Sequence, residues 1–263
     1  MKKITALLAI LLLLTSCGSV PLTGRKQVLL VSDSELISAS LAQYNDYMKT
    51  ATLSTDRAKT AQVEQIGRRI ATATETYLKQ NGLEKEVANF QWEFKLIKDA
   101  QVNAFCMPGG KIVVFEGLLP LTASDDELAV VIGHEVAHEV AKHGNERMSQ
   151  LLLAQFGAAI VNEALSTKSA AIQTVGNTVF GLGAQLGVMM PYSRQHEYEA
   201  DYMGMILMTL AGYNPESALA FWRKMAAGGS GSTSDFLSTH PSDANRIAKI
   251  QTNLPEMAKY KNR

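Results

Sequence analysis

The feature that most restricts what this chain can fold into is a short stretch, His134-Glu135-Val136-Ala137-His138, set inside an apolar run. The i, i+4 spacing puts both imidazoles on one face of a helix, one turn apart. Val130, Val131, Ile132, Val136 and Ala137 surround them, so the helix is expected to be buried. A polar His-Glu-His stripe inside a buried helix needs a compensating partner, and a metal supplies one. Two imidazoles so placed can grip one Zn²⁺ at about 2.0–2.1 Å. Glu135 can then reach a water in an open coordination position. The expectation is one Zn²⁺ per chain, with His134 and His138 as ligands and Glu135 as the catalytic base.

Two histidines are too few, because a catalytic zinc takes three protein ligands and keeps one position open. A third histidine shortly downstream is excluded, since Ala141 and Gly144 stand where that layout needs a glycine and a histidine. A distant carboxylate remains. Glu197 and Asp201 lie i, i+4 on one expected helix, so Glu197 can bind the metal while Asp201 accepts the spare ring N–H of His134. Glu199 is the competitor; it lies on another face and has Met203, not a carboxylate, four residues on. His143 falls about 140° around the helix from His138 and is not expected to bind the same ion. His196 is expected to point off the metal face.

The first residues read as a leader. Met1-Lys2-Lys3 is basic, Ile4 to Leu14 is apolar but short for a bilayer span, and Leu14-Thr15-Ser16-Cys17 is similar to a bacterial lipobox. The expected organisation is a signal peptide over 1–16, a lipidated linker over 17–31 starting at Cys17, and one zinc-binding domain over 32–263. Acyl chains on Cys17 would hold the chain at a membrane, and Gly18 after the cysteine favours the outer membrane. Lys+Arg and Asp+Glu are both 25, so no basic surplus points to nucleic acid. Two cysteines exclude a disulfide scaffold and a cysteine-built zinc finger, and Cys106 reads as a small buried hydrophobe.

Elsewhere the pattern gives helices around a few strands. Ser32 and Glu35 have capping-box spacing ahead of Leu36, Ala39, Tyr44 and Tyr47. Val63, Ile66, Ile70, Ala73 and Tyr77 recur at helical spacing up to Asn81-Gly82. Trp92 to Ile97 alternates like a strand, and Lys111 to Phe115 follows the Pro108-Gly109-Gly110 turn as a second one. Ser124 and Glu127 open the His134 helix, residues near 194–211 form a helix stopped by Gly212, and Asn214-Pro215 starts another. Residues 169–193 carry no charge, but Gln173, Asn177 and Gln185 disfavour a membrane span, and a Gly/Ala-rich helix or a flap over a cleft is preferred. Ile112, Val113, Val114 and Phe115 are expected to form a sheet edge on which an extended substrate pairs.

Gly133-His134-Glu135-Val136-Ala137-His138, then Ser193-Arg194 and Glu197-Tyr198-Glu199-Ala200-Asp201, resemble the HtpX-like and CAAX-prenyl-protease-like zinc metallopeptidases. Pro21-Leu22-Thr23-Gly24-Arg25-Lys26-Gln27 and Asn103-Ala104-Phe105 with Pro108-Gly109-Gly110 are similar to stretches of that family's soluble, outer-membrane lipoprotein branch. The resemblance implies a predominantly helical α+β fold of gluzincin type, with a small β-sheet beside the HExxH helix. It also implies an endopeptidase on the periplasmic side of the bacterial envelope, acting on unfolded or misassembled envelope proteins, with outer-membrane assembly or quality-control partners. His240-Pro241 and Arg246 match a family segment that stabilises the reaction's oxyanion, so His240 is the implied stabiliser, with Tyr192 and Tyr198 as rivals. A different class of function, a catalytically inactive zinc-containing lipoprotein that binds or chaperones proteins, would need a fourth protein ligand to close the metal site.

Overall fold

A computed structural model of the 263-residue chain describes residues 17–166, 193–227, 236–237, 240 and 244–261. It opens with a two-stranded antiparallel ribbon, β1 (Cys17–Ser19) and β2 (Lys26–Val28). Helices α1 (Asp33–Thr50), α2 (Arg57–Gln80) and the short α3 (Glu84–Val87) follow. Three strands come next, β3 (Glu93–Ile97), β4 (Ala104–Met107) and β5 (Lys111–Phe115). The remainder is helical: α4 (Asp125–Val140), α5 (His143–Ser166), α6 (Arg194–Leu210), α7 (Ser217–Ala227) and α8 (Ala244–Asn253). This is a predominantly helical α+β fold with a small sheet beside α4, as the family resemblance implies.

Local chemistry starts and stops the elements. Ser32 and Glu35 form a complete capping box on α1. Asp56 caps α2 through the Lys59 amide, and the buried Val63, Ile66, Ile70 and Leu78 make its inner face. Ser124 caps α4, whose first turn carries Asp125, Asp126 and Glu127 where the helix dipole favours negative charge. Nearly all of α4 is buried, so it is the central helix and not an amphipathic surface one. Gly212, at φ +81°, ends α6.

The strand order is β3-β5-β4, with β3 and β5 parallel and β4 and β5 antiparallel. Side chains alternate between two cores. Ile112 and Val114 face the large core with α2, α4 and α6, while Val113 and Phe115 face a smaller one with Leu36, Tyr44, Met148 and Leu152.

Two expectations are corrected here. Ile112–Phe115 is not a sheet edge: β5 lies between two partners and its four apolar residues are 0% exposed, so no extended substrate can pair on it. A continuous apolar run is what a strand buried on both faces requires. The covering partner, β4, was not evident in the sequence. Residues 17–31, expected as a linker, begin instead with the folded ribbon, and its Arg25 forms ion pairs with Glu146 of α5 and Glu199 of α6. Residues 1–16, the 169–192 stretch and the 228–235 Gly/Ser segment lie outside the described residues. Among the described residues no helix is long and apolar enough to cross a membrane.

Candidate metal centre

The site is built where α4 and α6 cross. A Cβ on Gly204 would lie 3.0 Å from the His134 amide nitrogen, and one on Gly133 would lie 3.0 Å from the Gly204 carbonyl oxygen. Glycine at both positions lets the two backbones approach closely. That approach sets Glu197 and Asp201 of α6 against His134 and His138 of α4. Ser193 caps α6 by accepting from the His196 amide, which fixes the turn that carries Glu197.

His134 Nε2 lies 3.0 Å from His138 Nε2, 3.2 Å from His240 Nδ1 and 3.4 Å from Glu197 Oε2. Glu197 Oε1 lies 3.4 Å from His138 Nε2 and 3.1 Å from His240 Nδ1. All four residues are buried, and one ligand atom from each falls within 4.8 Å of the others. Four atoms held tetrahedrally at about 2.0–2.1 Å from one ion would stand about 3.3 Å apart, and the five contacts above span 3.0–3.4 Å. His134 Nδ1 lies 3.0 Å from Asp201 Oδ1. When the ring is neutral and donates to that carboxylate, Nε2 carries a lone pair aimed at its neighbours. Ring nitrogens packed this closely with a carboxylate suit a cation, so the residues fit a divalent metal.

The electrostatics agree. Burial opposes charge on Glu197, but His240, Arg246 and His134 hold its carboxyl well below the usual range. Burial also opposes charge on His134, yet Glu197 and Asp201 prevail and push it up to about 9. Burial drives His138 well down. Without a metal, positive charge on His134 and Arg246 therefore faces the Glu197 carboxylate.

A buried arginine closes the far side. Arg246 of α8 reaches Asp201 through Nε at 2.5 Å and Nη2 at 2.9 Å, and its Nη1 lies 2.8 Å from Glu197 Oε2. The Trp222 ring of α7 covers it, 3.4 Å from the guanidinium carbon to the ring centroid. Trp222 also stacks with Phe236, which leans on His240 at 4.6 Å between ring centroids. Neither aromatic was singled out by sequence reasoning, and no local pattern marks them.

Glu135 faces the cluster from α4. Burial pushes its carboxyl up, partly offset by His240 and His134. Its Oε1 makes no hydrogen bond, although His240 Nε2 stands 3.4 Å away. His240, expected as a stabiliser beside the metal, thus lies within the donor cluster itself and also faces Glu135.

The other histidines and acids lie outside that cluster. The helix ends at Val140, two residues past His138: Lys142 takes a left-handed φ of +57°, and α5 starts afresh at His143. His143 turns back so that its Nδ1 lies 2.9 Å from His138 Nδ1. His196 pairs with Glu146, and Glu199 with Thr23, Arg25 and His143. Tyr198 lies beside Lys249, and Tyr192 lies outside the described residues.

A profile described as Peptidase family M48 matches residues 57–254, a range that holds Glu135 and all four donors. The chain belongs to peptidase family M48. This M48 chain is 38% identical over 172 residues to the mitochondrial metalloendopeptidase OMA1 of Schizosaccharomyces pombe, a match covering 65% of the chain and 49% of that relative. It is 25% identical over 255 residues to the metalloprotease YcaL of Escherichia coli, covering 93% of the chain and 96% of YcaL. A β-barrel assembly-enhancing protease of Yersinia pestis matches at 26% over 171 residues, covering 63% of the chain and 35% of that protein. The chain spans about half the length or less of the OMA1 relatives. M48 membership and the buried donor set together imply a divalent metal here.

Proposed function

We propose that this M48 chain is a zinc-dependent endopeptidase, with His134, His138 and Glu197 as the metal ligands and Glu135 as the general base. The observation that carries the reading is Glu135: a buried carboxyl with one oxygen free of hydrogen bonds, beside a donor set sized for a tetrahedral ion. Zinc suits two imidazoles and a carboxylate, and when bound it supplies Lewis acidity toward a peptide carbonyl and acidifies water.

The chain's own groups do the rest. Burial raises the proton affinity of Glu135, so it can accept the proton of the attacking water and pass it to the leaving amine. Asp201 fixes the His134 ring through Nδ1, and Arg246 orients Asp201. In this reading His240 donates to the oxyanion as the carbonyl is attacked, and the support is its Nε2 standing 3.4 Å from Glu135 Oε1. Replacing Glu135 with Gln is expected to leave zinc bound and to lower casein cleavage roughly 10²–10⁴-fold. Cleavage that persists unchanged overturns the assignment of the base.

Lipid anchoring through Cys17 on the periplasmic face of an outer membrane belongs to the same proposal. The support is the basic, apolar and lipobox-like order of residues 1–17. Unfolded or misassembled envelope proteins are the proposed substrates, in keeping with the name of the β-barrel assembly-enhancing relative. In a bacterial host, Cys17→Ser is expected to release the chain from the membrane pellet.

One observation favours a second reading. His240 brings the donors to four, the number that closes a structural zinc site. A chain of that kind would bind zinc and proteins without cutting them. His240→Ala distinguishes the two: zinc retained at near wild-type affinity supports the three-ligand catalytic site, and loss of zinc supports the closed one.

A further inference from the structure

His134 and His138 both need their second ring nitrogen fixed if Nε2 is to face a metal. For His134 the partner is a carboxylate. For His138 it is another imidazole, His143, whose Nδ1 lies 2.9 Å away. Behind His143 stands Glu199, with Oε2 at 3.0 Å from His143 Nε2. Glu199 is fixed in turn by the N-terminal ribbon: Thr23 Oγ1 donates to Oε1 at 2.5 Å and Arg25 Nε donates to Oε2 at 2.7 Å. Arg25 is anchored by a two-point contact with Glu146, through Nη1 at 2.9 Å and Nη2 at 2.6 Å.

The protons in this line can run only one way if His138 is to serve a cation. A carboxylate accepts only, so His143 Nε2 donates to Glu199. A neutral imidazole has one N–H, so His143 Nδ1 accepts and His138 Nδ1 donates. His138 Nε2 is then left with a lone pair facing His134 Nε2 and Glu197. The opposite tautomer of His138 would aim an N–H into the donor set.

We infer that Arg25 and Thr23 of the ribbon are positioning residues for the metal centre, acting on His138 through Glu199 and His143. The inference rests on the cluster being a metal site. It gives a role to Glu199 and His143, which the ligand set leaves out, and to a ribbon that precedes the M48-matched residues.

The test uses the full chain and zinc alone, with affinity measured by chelator competition. His143→Phe, which keeps a ring and removes the acceptor, is expected to weaken zinc about 10–100-fold. Arg25→Met is expected to weaken it less, in the same direction, and Arg25→Lys to recover part of the loss. Adding Arg25→Met to His143→Phe is expected to change affinity no further, because one acts through the other. Ring ¹⁵N shifts of the metal-free chain supply a second readout: His138 is expected as the Nδ1–H tautomer in the wild type and as a mixture in Arg25→Met. A ribbon that merely latches the fold would lower the melting temperature of Arg25→Met while zinc affinity and the His138 tautomer stay put, and that result overturns the inference. If Arg25→Met fails to fold, Thr23→Val removes a single donor and is read the same way. A wild-type chain that binds no zinc overturns the metal reading itself, a different outcome from a wild type that binds zinc indifferently to Arg25.

Discussion

The two histidines of α4 sit one turn apart and are supported in unlike ways. His134 leans on Asp201, whose partner Arg246 is fully buried under Trp222. His138 leans on His143 and Glu199, and the arginine behind them, Arg25, keeps 19% of its side chain exposed and has a second carboxylate in Glu146. One support is made within the helical core; the other is completed by a ribbon that comes before the family-matched region. A buried charge with few partners is costly to strand, whereas a charge at the margin can fall back on water. The two halves of one metal site should therefore differ sharply in how they tolerate loss of an acid.

The largest expected effect tests that directly. Asp201→Ala removes both Asp201 contacts from the fully buried Arg246 guanidinium, and should destabilise the metal-free chain by about 3–5 kcal/mol. Glu199→Ala leaves Arg25 still paired with Glu146 and should cost about 1–2 kcal/mol. Urea unfolding of both variants measures the gap, and equal losses would break the comparison.

That asymmetry also marks where sequence reading succeeds and where it stops. His134, Glu135, His138, Glu197 and Asp201 are legible because each relation is an i, i+4 step on one helix or the partner such a step demands. The caps at Ser32 and Ser124 and the stop at Gly212 are legible for the same local reason. Lys142 is not: nothing in its side chain announces a left-handed break, and a continuous helix would have swung His143 away from His138. Ile112–Phe115 reads equally well as a central or an edge strand, and the four residues of β4 are too few to show an alternation that would decide it. The Arg25–Glu199 pair joins positions 174 apart, a distance over which no periodicity carries information. Trp222 meets Arg246 only once α7 and α8 have packed.

A smaller effect sharpens the comparison at the helix crossing. Gly204→Ala places a methyl 3.0 Å from the His134 amide nitrogen. The helices must part, at about 1–3 kcal/mol, and Asp201 moves with α6. Zinc affinity should fall with stability. The His143–Glu199 contact, one turn further along and supported from the ribbon, should be disturbed less, which the His143 and His134 ring shifts can report separately. Equal disturbance of both rings would mean that the two supports move as one body.

The smallest expected effect is the pH dependence that Glu146 contributes on the ribbon side. Burial works against charge on Glu146, but His196 and Arg25 prevail and pull its carboxyl down to about 2. A carboxyl held below its ordinary range in the folded chain stabilises it fully above about pH 4.5 and loses that contribution as the pH falls toward 2. With Arg25 partly in solvent, the contribution is on the order of 1–2 kcal/mol. Glu146→Gln should thus melt below the wild type at neutral pH, and the two melting curves should converge as the buffer is taken through pH 4 and below. A difference between wild type and Glu146→Gln that holds constant from neutral to acid pH would show that the ribbon is seated by shape rather than by charge, and the contrast between the two supports would have to be drawn from Glu199 and His143 alone.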